Sequence, residues 1–432
     1  MDRAIDERRE RLREHESALD SYGTPLVVFF ESDLRRNYRE LRATLDDHYP
    51  DSRVHFAVKS NFNLGILSVL EDAGCGAEAF SGCELSATLE AGFSPGEVLL
   101  TGMNRSQREI ERALEAGVGH LLIDNAAELD RVEAAAAETG ERPRVLLRGN
   151  PAMEVPTLPE VATATRESKF GLDVASGRAM AAAERIVDSD RLELAGVQLH
   201  IGSQIQAAEP YGVATRAMLD FAADVRDDLG VEIDVLDMGG GLPVPYDDDV
   251  PAAETIVETI ATAIADACET HGLAEPTLFL EPGRRLVGNA GALVGTVGAI
   301  KETPHATFAV LDVGTNAVGS YWAYPIYALD AGETRSGGGA DGDDSRSYDV
   351  AGPLCYTGDV IQEDVSLPEL ARGDRLVIDR IGAYSLASAT HTNAMPRPPV
   401  VLVRESGDVD LLRPGETCAD VIGSDRVPED LR

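Results

Sequence analysis

The sequence predicts a (β/α)8 barrel joined to a β-rich domain, a β-sandwich or β-barrel. Three observations carry this expectation. From Pro25 to Leu280 short apolar runs alternate with Ala- and Glu-rich amphipathic stretches. After Gly283 the texture changes to valine-rich, glycine-punctuated segments. A chain of 432 residues also exceeds what a single core organises. The expected boundaries are 25–282 for the barrel, with 1–24 and 283–432 forming the β-rich domain. An open doubly wound sheet is the competing arrangement for the first part.

In chain order, Met1–Glu16 is charged and helical in character, without the apolar core of a leader, which points to a cytoplasmic protein. Strand-length apolar runs follow at Leu26–Phe30, Val54–Val58, Val98–Thr101, His120–Ile123, Val145–Arg148, Leu194–His200, Ile233–Leu236 and Thr277–Leu280. Ser106–Ala116 and Ala126–Glu138 have helical periodicity between them. In the second part Ala292–Ile300, Thr307–Asp312, Asp374–Ile378 and Val400–Val403 read as strands, and Gly332–Ser347 as a polar low-complexity loop. No apolar run approaches the ~20 residues that span a bilayer.

Charge narrows the function classes. With 75 acidic and 38 basic residues the net charge is −37, a surface that repels nucleic acid and anionic membranes. The excess is spread along the chain, and lysine is nearly absent. This reads as adaptation to a high-salt cytoplasm, where screening suppresses self-repulsion, against the plainer reading of an ordinary acidic protein. The cysteines, Cys75, Cys83, Cys268, Cys355 and Cys418, are odd in number and form no CxxC pair, which argues against a disulfide framework or a structural zinc site.

One of the three lysines, Lys59, ends the apolar run Phe56-Ala57-Val58. A desolvated amine is a good nucleophile toward an aldehyde, so Lys59 is a candidate Schiff-base lysine; a strand-capping lysine with a buried stem is the structural alternative. His200-Ile201-Gly202-Ser203-Gln204 lies at another strand end, where an imidazole could stack on a flat ring and Ser203 could bind phosphate. A core or loop histidine would look the same. Asp237 precedes Met238 and the run Gly239, Gly240, Gly241, whose backbone N–H groups could approach an anion, or which could be a mere turn. Glu281-Pro282-Gly283-Arg284 offers a carboxylate for a protonated ring nitrogen and a guanidinium for phosphate or carboxylate; a surface ion pair is the alternative. An amine, a stacking ring, a phosphate cradle and an acid for a ring nitrogen are the parts needed to hold pyridoxal phosphate.

With these anchors the chain resembles the fold-type III pyridoxal-phosphate decarboxylases, the diaminopimelate decarboxylase family in particular. The likeness runs from Tyr22-Gly23-Thr24-Pro25 to Arg397-Pro398 and includes Ser81-Gly82-Cys83-Glu84-Leu85, Ser168-Lys169-Phe170-Gly171, Gly352–Asp359 and Gly382-Ala383-Tyr384. It implies that Lys59 carries the cofactor, that His200 stacks on the ring, and that Ser203, Gly239–Gly241, Gly283, Arg284 and Tyr384 contact the phosphate. It implies further that Glu281 keeps the pyridine nitrogen protonated, that Arg148 lies near the cofactor, and that Cys355 returns a proton to the substrate carbon. In such enzymes the cysteine loop enters the neighbouring subunit's site, so a homodimer with shared sites is expected. The reaction implied is decarboxylation of an amino acid, with meso-diaminopimelate to L-lysine as the nearest named case.

Arg284, Tyr324, Tyr384, Asp359 and the altered positions Ser320 and Tyr356 are the expected substrate contacts. Such relatives carry a glutamate after the cysteine and an arginine four residues before the substrate-facing tyrosine. Here Tyr356 and Ser320 stand at those places, which suits a less charged or bulkier distal group. Gln198 stands where many relatives have a second histidine. An amino-acid racemase and a non-catalytic regulatory homologue are the competing functions; Glu281 speaks against the first, and Lys59 with Cys355 against the second.

Overall fold

The computed structural model describes residues 2–246, 249–319, 322–329 and 345–431. The chain forms two compact units: Leu34–Leu286, and Met1–Asp33 together with Val287–Arg432.

The first unit is a closed barrel. Its strands in order are Ser52–Ala57, Gly76–Ala79, Val98–Leu100, His120–Ile123, Arg144–Asn150, Glu193–Gln198, Val235–Asp237 and Thr277–Leu280. Each pairs in parallel with the next. The last pairs with the first, Leu278 opposite Ser52 and Leu280 opposite Val54, which closes the ring. Leu172–Asp173 is a short extra strand on the edge of Arg144–Asn150.

Helices follow the strands because their caps and apolar faces require it. Ser106 accepts the Glu109 N–H while the Glu109 side chain takes the Ser106 N–H, so Gln107–Ala116 starts where the sequence places it; Gly117, in the left-handed region, stops it. Inside the ring Leu99, Leu122, Leu146, Ala195, Val235 and Phe279 form a buried cluster, so the barrel is filled rather than hollow. His55 and His120 lie against Phe279, with ring centres 4.7 and 5.4 Å away.

One strand expectation is corrected and one strand is added. Leu26–Phe30 does not open the barrel: it belongs to the second unit, antiparallel to Gly291–Glu302 and parallel to Val400–Val403. The compact barrel unit therefore begins at Leu34 and the other unit resumes at Val287, in place of 25 and 283. A five-residue run buried throughout declares itself a strand, but its composition says nothing about which sheet receives it. The second barrel strand, Gly76–Ala79, escaped the sequence reading because Gly-Ala-Glu-Ala has no β-branched or aromatic residue.

Among the described residues the second unit is a nine-stranded mixed sheet. Its main path runs Val360–Pro368, Ser345–Ala351, Thr307–Leu311, Gly291–Glu302, Leu26–Phe30, Val400–Val403, Val409–Arg413; Arg375–Asp379 also pairs with Gly291–Glu302 and carries Ile326–Ala328. The helix Asp2–Glu14 packs Leu12 into a core with Leu26, Val28, Phe30, Val377 and Val401. Arg8 on this helix is buried, pairs with Asp33 at 2.9 Å and Asp379 at 3.4 Å, and lies over the Phe30 ring. Of the expected polar loop Gly332–Ser347, residues 332–344 fall outside the described residues, and Ser345 to Ser347 open the strand Ser345–Ala351.

Candidate active site

The polar groups of the barrel gather at the C-terminal ends of its strands, where a (β/α)8 fold concentrates chemistry. Lys59 lies in the 3-10 turn Val58–Ser60 just past the first strand. Its Nζ pairs with Glu78 of the second strand, whose other carboxylate oxygen accepts the Thr101 hydroxyl from the end of the third. The Lys59 side chain is 33% exposed and Glu78 is buried, so the amine is anchored on one side and accessible on the other.

After the fourth strand Asp124 accepts the Gly171 N–H at 3.0 Å and pairs with Arg148 at 3.5 Å. The Arg148 guanidinium lies 4.6 Å from the centre of the Phe170 ring. The Ser168–Gly171 motif thus fixes Arg148 from two sides. After the sixth strand His200 Nδ1 accepts the Gly240 N–H at 3.0 Å, which places the proton of the neutral ring on Nε2. Burial, together with the charges of Lys59 and Arg148, holds this imidazole well below its ordinary pKa. It therefore presents a neutral ring.

The glycine run after the seventh strand has no space for side chains. A β-carbon on Gly239 would lie 2.6 Å from the Leu199 carbonyl oxygen, one on Gly241 2.6 Å from that of Gly202, and one on Gly240 would overlap the Glu281 carbonyl. Gly239 and Gly241 also adopt the left-handed region. Arg284 donates to the Ser203 hydroxyl at 3.3 and 3.4 Å and to Tyr246 at 2.9 Å. At the eighth strand end Glu281 accepts Gln198 Nε2 at 3.2 Å. Glu281 and Asp237 are both buried, and burial raises both carboxyl pKa values; the charge of Asp237 adds to the rise at Glu281, and that of Glu78 adds to both.

These groups fit pyridoxal phosphate. Bare backbone beside Ser203 and Arg284 suits a phosphate, a neutral imidazole suits a ring face, a reachable amine suits an aldehyde, and a buried carboxyl suits a ring nitrogen. Residues 31–288 match the model of the pyridoxal-dependent decarboxylases, in the part described as their pyridoxal binding domain. The chain belongs to this family.

The decarboxylase is 35% identical to the diaminopimelate decarboxylase of Methanothermobacter thermautotrophicus over 420 residues, 95% of this chain and 94% of that one. It is 32% identical to that of Bacillus subtilis, over 94% and 92%. Among solved structures it resembles the diaminopimelate decarboxylase of M. jannaschii, with a TM-score of 0.89 at 32% identity over 96% of this chain and 95% of that one; the same protein in complex with L-lysine gives 0.88. The decarboxylase is accordingly a carboxy-lyase, and its cofactor is pyridoxal 5'-phosphate. The racemase and non-catalytic alternatives give way to this assignment.

Lys59, Arg148, His200, Ser203, Gly239–Gly241, Glu281 and Arg284 converge at the mouth of the barrel. Gly283 lets the last strand's end lie against Ser60, since a β-carbon there would be 2.9 Å from the serine hydroxyl.

The remaining expected residues lie in the other unit. Cys355 is exposed, and its N–H donates to Asn393 Oδ1 at 2.7 Å. Tyr356 is 51% exposed and its hydroxyl meets Thr315 Oγ1 at 2.5 Å. Tyr324 is buried, and Tyr384 has a left-handed backbone. Ser320 lies outside the described residues.

The expectation of a substrate contact at Asp359 is corrected. The side chain is buried, one oxygen accepts the N–H and hydroxyl of Thr315, and the other accepts the Leu354 N–H. Asp359 shapes the loop that carries Cys355.

The sequence reading missed Glu78, Thr101, Asp124 and Tyr246, and gave Gln198 no role toward the ring. For two of them a signal existed. Glu78 is a charge inside the apolar tetrapeptide Gly76–Ala79, and Asp124 follows an apolar run just as Glu281 does.

Proposed function

We propose that the chain decarboxylates meso-diaminopimelate, or an amino acid of the same frame, to release carbon dioxide and L-lysine or the matching amine. Similarity to two diaminopimelate decarboxylases over more than nine-tenths of both chains carries this reading. It acts in the cytoplasm as a homodimer in which Cys355 of each subunit serves the partner's barrel. Among the described residues no helix is long and apolar enough to cross a membrane.

The proposed roles follow from the geometry. Lys59 would be the covalent anchor for the cofactor aldehyde, and Glu78 is placed to hold its amine in the ammonium form. Arg284 and Ser203 would bind the phosphate beside the Gly239–Gly241 run, of which the Gly239 and Gly240 N–H groups are taken by Asp237 and His200; Tyr384 would be a further contact, and Tyr246 orients Arg284. His200, neutral and turned by Gly240, would lie against the ring; Glu281 would face the ring nitrogen and Arg148 would line the pocket. The bound cofactor supplies an electron sink for the Cα–carboxylate bond. Cys355 delivers a proton to Cα.

At the distal end Tyr356 favours a second reading. A half-exposed phenol held by Thr315 follows Cys355, where the resemblance expects a carboxylate for a distal ammonium. An amino acid with a less charged distal group is then the better substrate, since an unpaired charge there costs several kcal/mol, of order ~3. Carbon dioxide release in molar salt from meso-diaminopimelate and a panel of distally modified amino acids tests both. Turnover of diaminopimelate that Lys59→Ala abolishes supports the first reading; faster turnover of a neutral analogue supports the second. Release from none of them defeats the proposal.

A further inference from the structure

Asp237 has no part in the roles assigned above, yet it is wholly buried beside them. It ends the seventh barrel strand, whose Val235 lies in the interior cluster, so two residues on Asp237 points the same way. Glu281 stands in the same relation to Phe279, and Asp237 is the register partner of Phe279. Both carboxyls therefore point into the barrel interior from adjacent strands, Asp237 beside Phe279 and Glu281 one layer above it.

Asp237 Oδ1 accepts the Gly239 N–H at 2.8 Å, and Oδ2 receives no hydrogen from any described amide, hydroxyl or cation. Two carboxyl groups can bond to each other only if one of them carries a proton. The charge count points the same way. Lys59 and Arg148 are the cations facing these carboxyls, and they hold direct ion pairs with Glu78 and Asp124. Neither Asp237 nor Glu281 has an ion pair among the described residues, and His200 is neutral. A protonated ring nitrogen adds one positive charge, enough for one of the two carboxyls. Two buried carboxylates around one cation would leave an uncompensated charge in a dry site.

We infer that Asp237 is a positioning residue that stays protonated and donates its O–H to Glu281, so that Glu281 alone bears the charge that faces the ring nitrogen. Gln198 supplies the second donor to Glu281. The inference rests on the reading of Glu281 as the ring-nitrogen partner.

The test reads the proton and the cofactor's affinity, not turnover. Infrared difference spectra of the wild-type holoenzyme at pH 8, in molar salt, should show a carboxylic-acid C=O band that shifts in heavy water and is missing from Asp237→Asn. Equilibrium dialysis should show that Asp237→Ala weakens pyridoxal phosphate binding by about tenfold or more, the loss of a donor to a buried charge. Asp237→Asn, which restores an N–H donor, should recover most of that loss. No acid band in the wild type, or an asparagine variant as weak as the alanine variant, overturns the inference; if the alanine variant does not fold, the band and its loss in Asp237→Asn decide alone. Glu281→Gln separates the two readings. If it binds pyridoxal phosphate as tightly as wild type, the role given to Glu281 fails, whereas the acid band still reports on Asp237.

Discussion

Gly240 has no room for a β-carbon, and the obstacle is the backbone of Glu281 rather than a movable side chain. Its N–H also fixes the His200 ring. One atom added here displaces the glycine run, the His200 ring and the Glu281 strand end together. Gly240→Ala should therefore cost about 1–3 kcal/mol of stability and most of the affinity for pyridoxal phosphate. Chemical denaturation and equilibrium dialysis check this; unchanged cofactor affinity would remove the cradle from the site. Lys59 makes a second test at this scale. The only other lysines are Lys169, beside the Phe170 ring, and Lys301, on the strand Gly291–Glu302. Borohydride reduction of the holoenzyme should fix the cofactor on Lys59, as peptide mapping would show, and an adduct on either of the others would refute the assignment.

Among the elements, the barrel strands bury histidine as well as aliphatic side chains. His55 lies within the ring against Phe279, and burial, with the charges of His120 and Arg53, lowers its pKa to about 3. His120 is lowered to about 4, by burial first and then by Arg144 and Arg53. A histidine whose folded pKa lies below its unfolded value binds fewer protons when native, so stability rises with pH across the gap. The contribution is complete above the unfolded value near 6.5 and is lost as pH falls toward 3. His55 alone should give a slope of about 1.4 kcal/mol per pH unit between about pH 6 and 4. Denaturation curves of wild type and His55→Gln at several pH values measure the difference. Equal slopes would mean that the barrel opens to water at His55 before it unfolds.

For the whole molecule the net charge of −37 dominates. At low ionic strength self-repulsion acts over tens of ångströms; in molar salt the screening length is about 3 Å. We therefore expect folding and activity to require molar salt, and circular dichroism with activity assays along a dialysis series will test it. Full retention at low salt would mark an ordinary acidic enzyme. The shared site has its own test. Lys59→Ala and Cys355→Ala should each be inactive, and subunit exchange between them should restore about a quarter of the wild-type rate, because half the dimers are hybrids with one intact site of two. No recovery after verified exchange would place each cysteine with its own subunit's barrel.

The sequence by itself determined the barrel and the β-rich unit, and it pointed to the residues that meet at the barrel mouth. Strand ends marked by Lys59, His200, the glycine run and Glu281 are local signals, readable because apolar runs and turn residues fix the ends of elements. Tertiary structure alone decided that Leu26–Phe30 pairs outside the barrel and that Gly76–Ala79 is one of its strands. Strand pairing is a long-range choice, and in a small apolar segment burial outweighs local propensity. It likewise decided that Glu78 holds Lys59, that Asp124 and Phe170 hold Arg148, and that Asp359 serves its own loop. These partners are far apart in sequence. What brings each to its charge is the closure of the ring or the folding of a loop, and the demand that a buried charge find its complement appears only once the chain has closed.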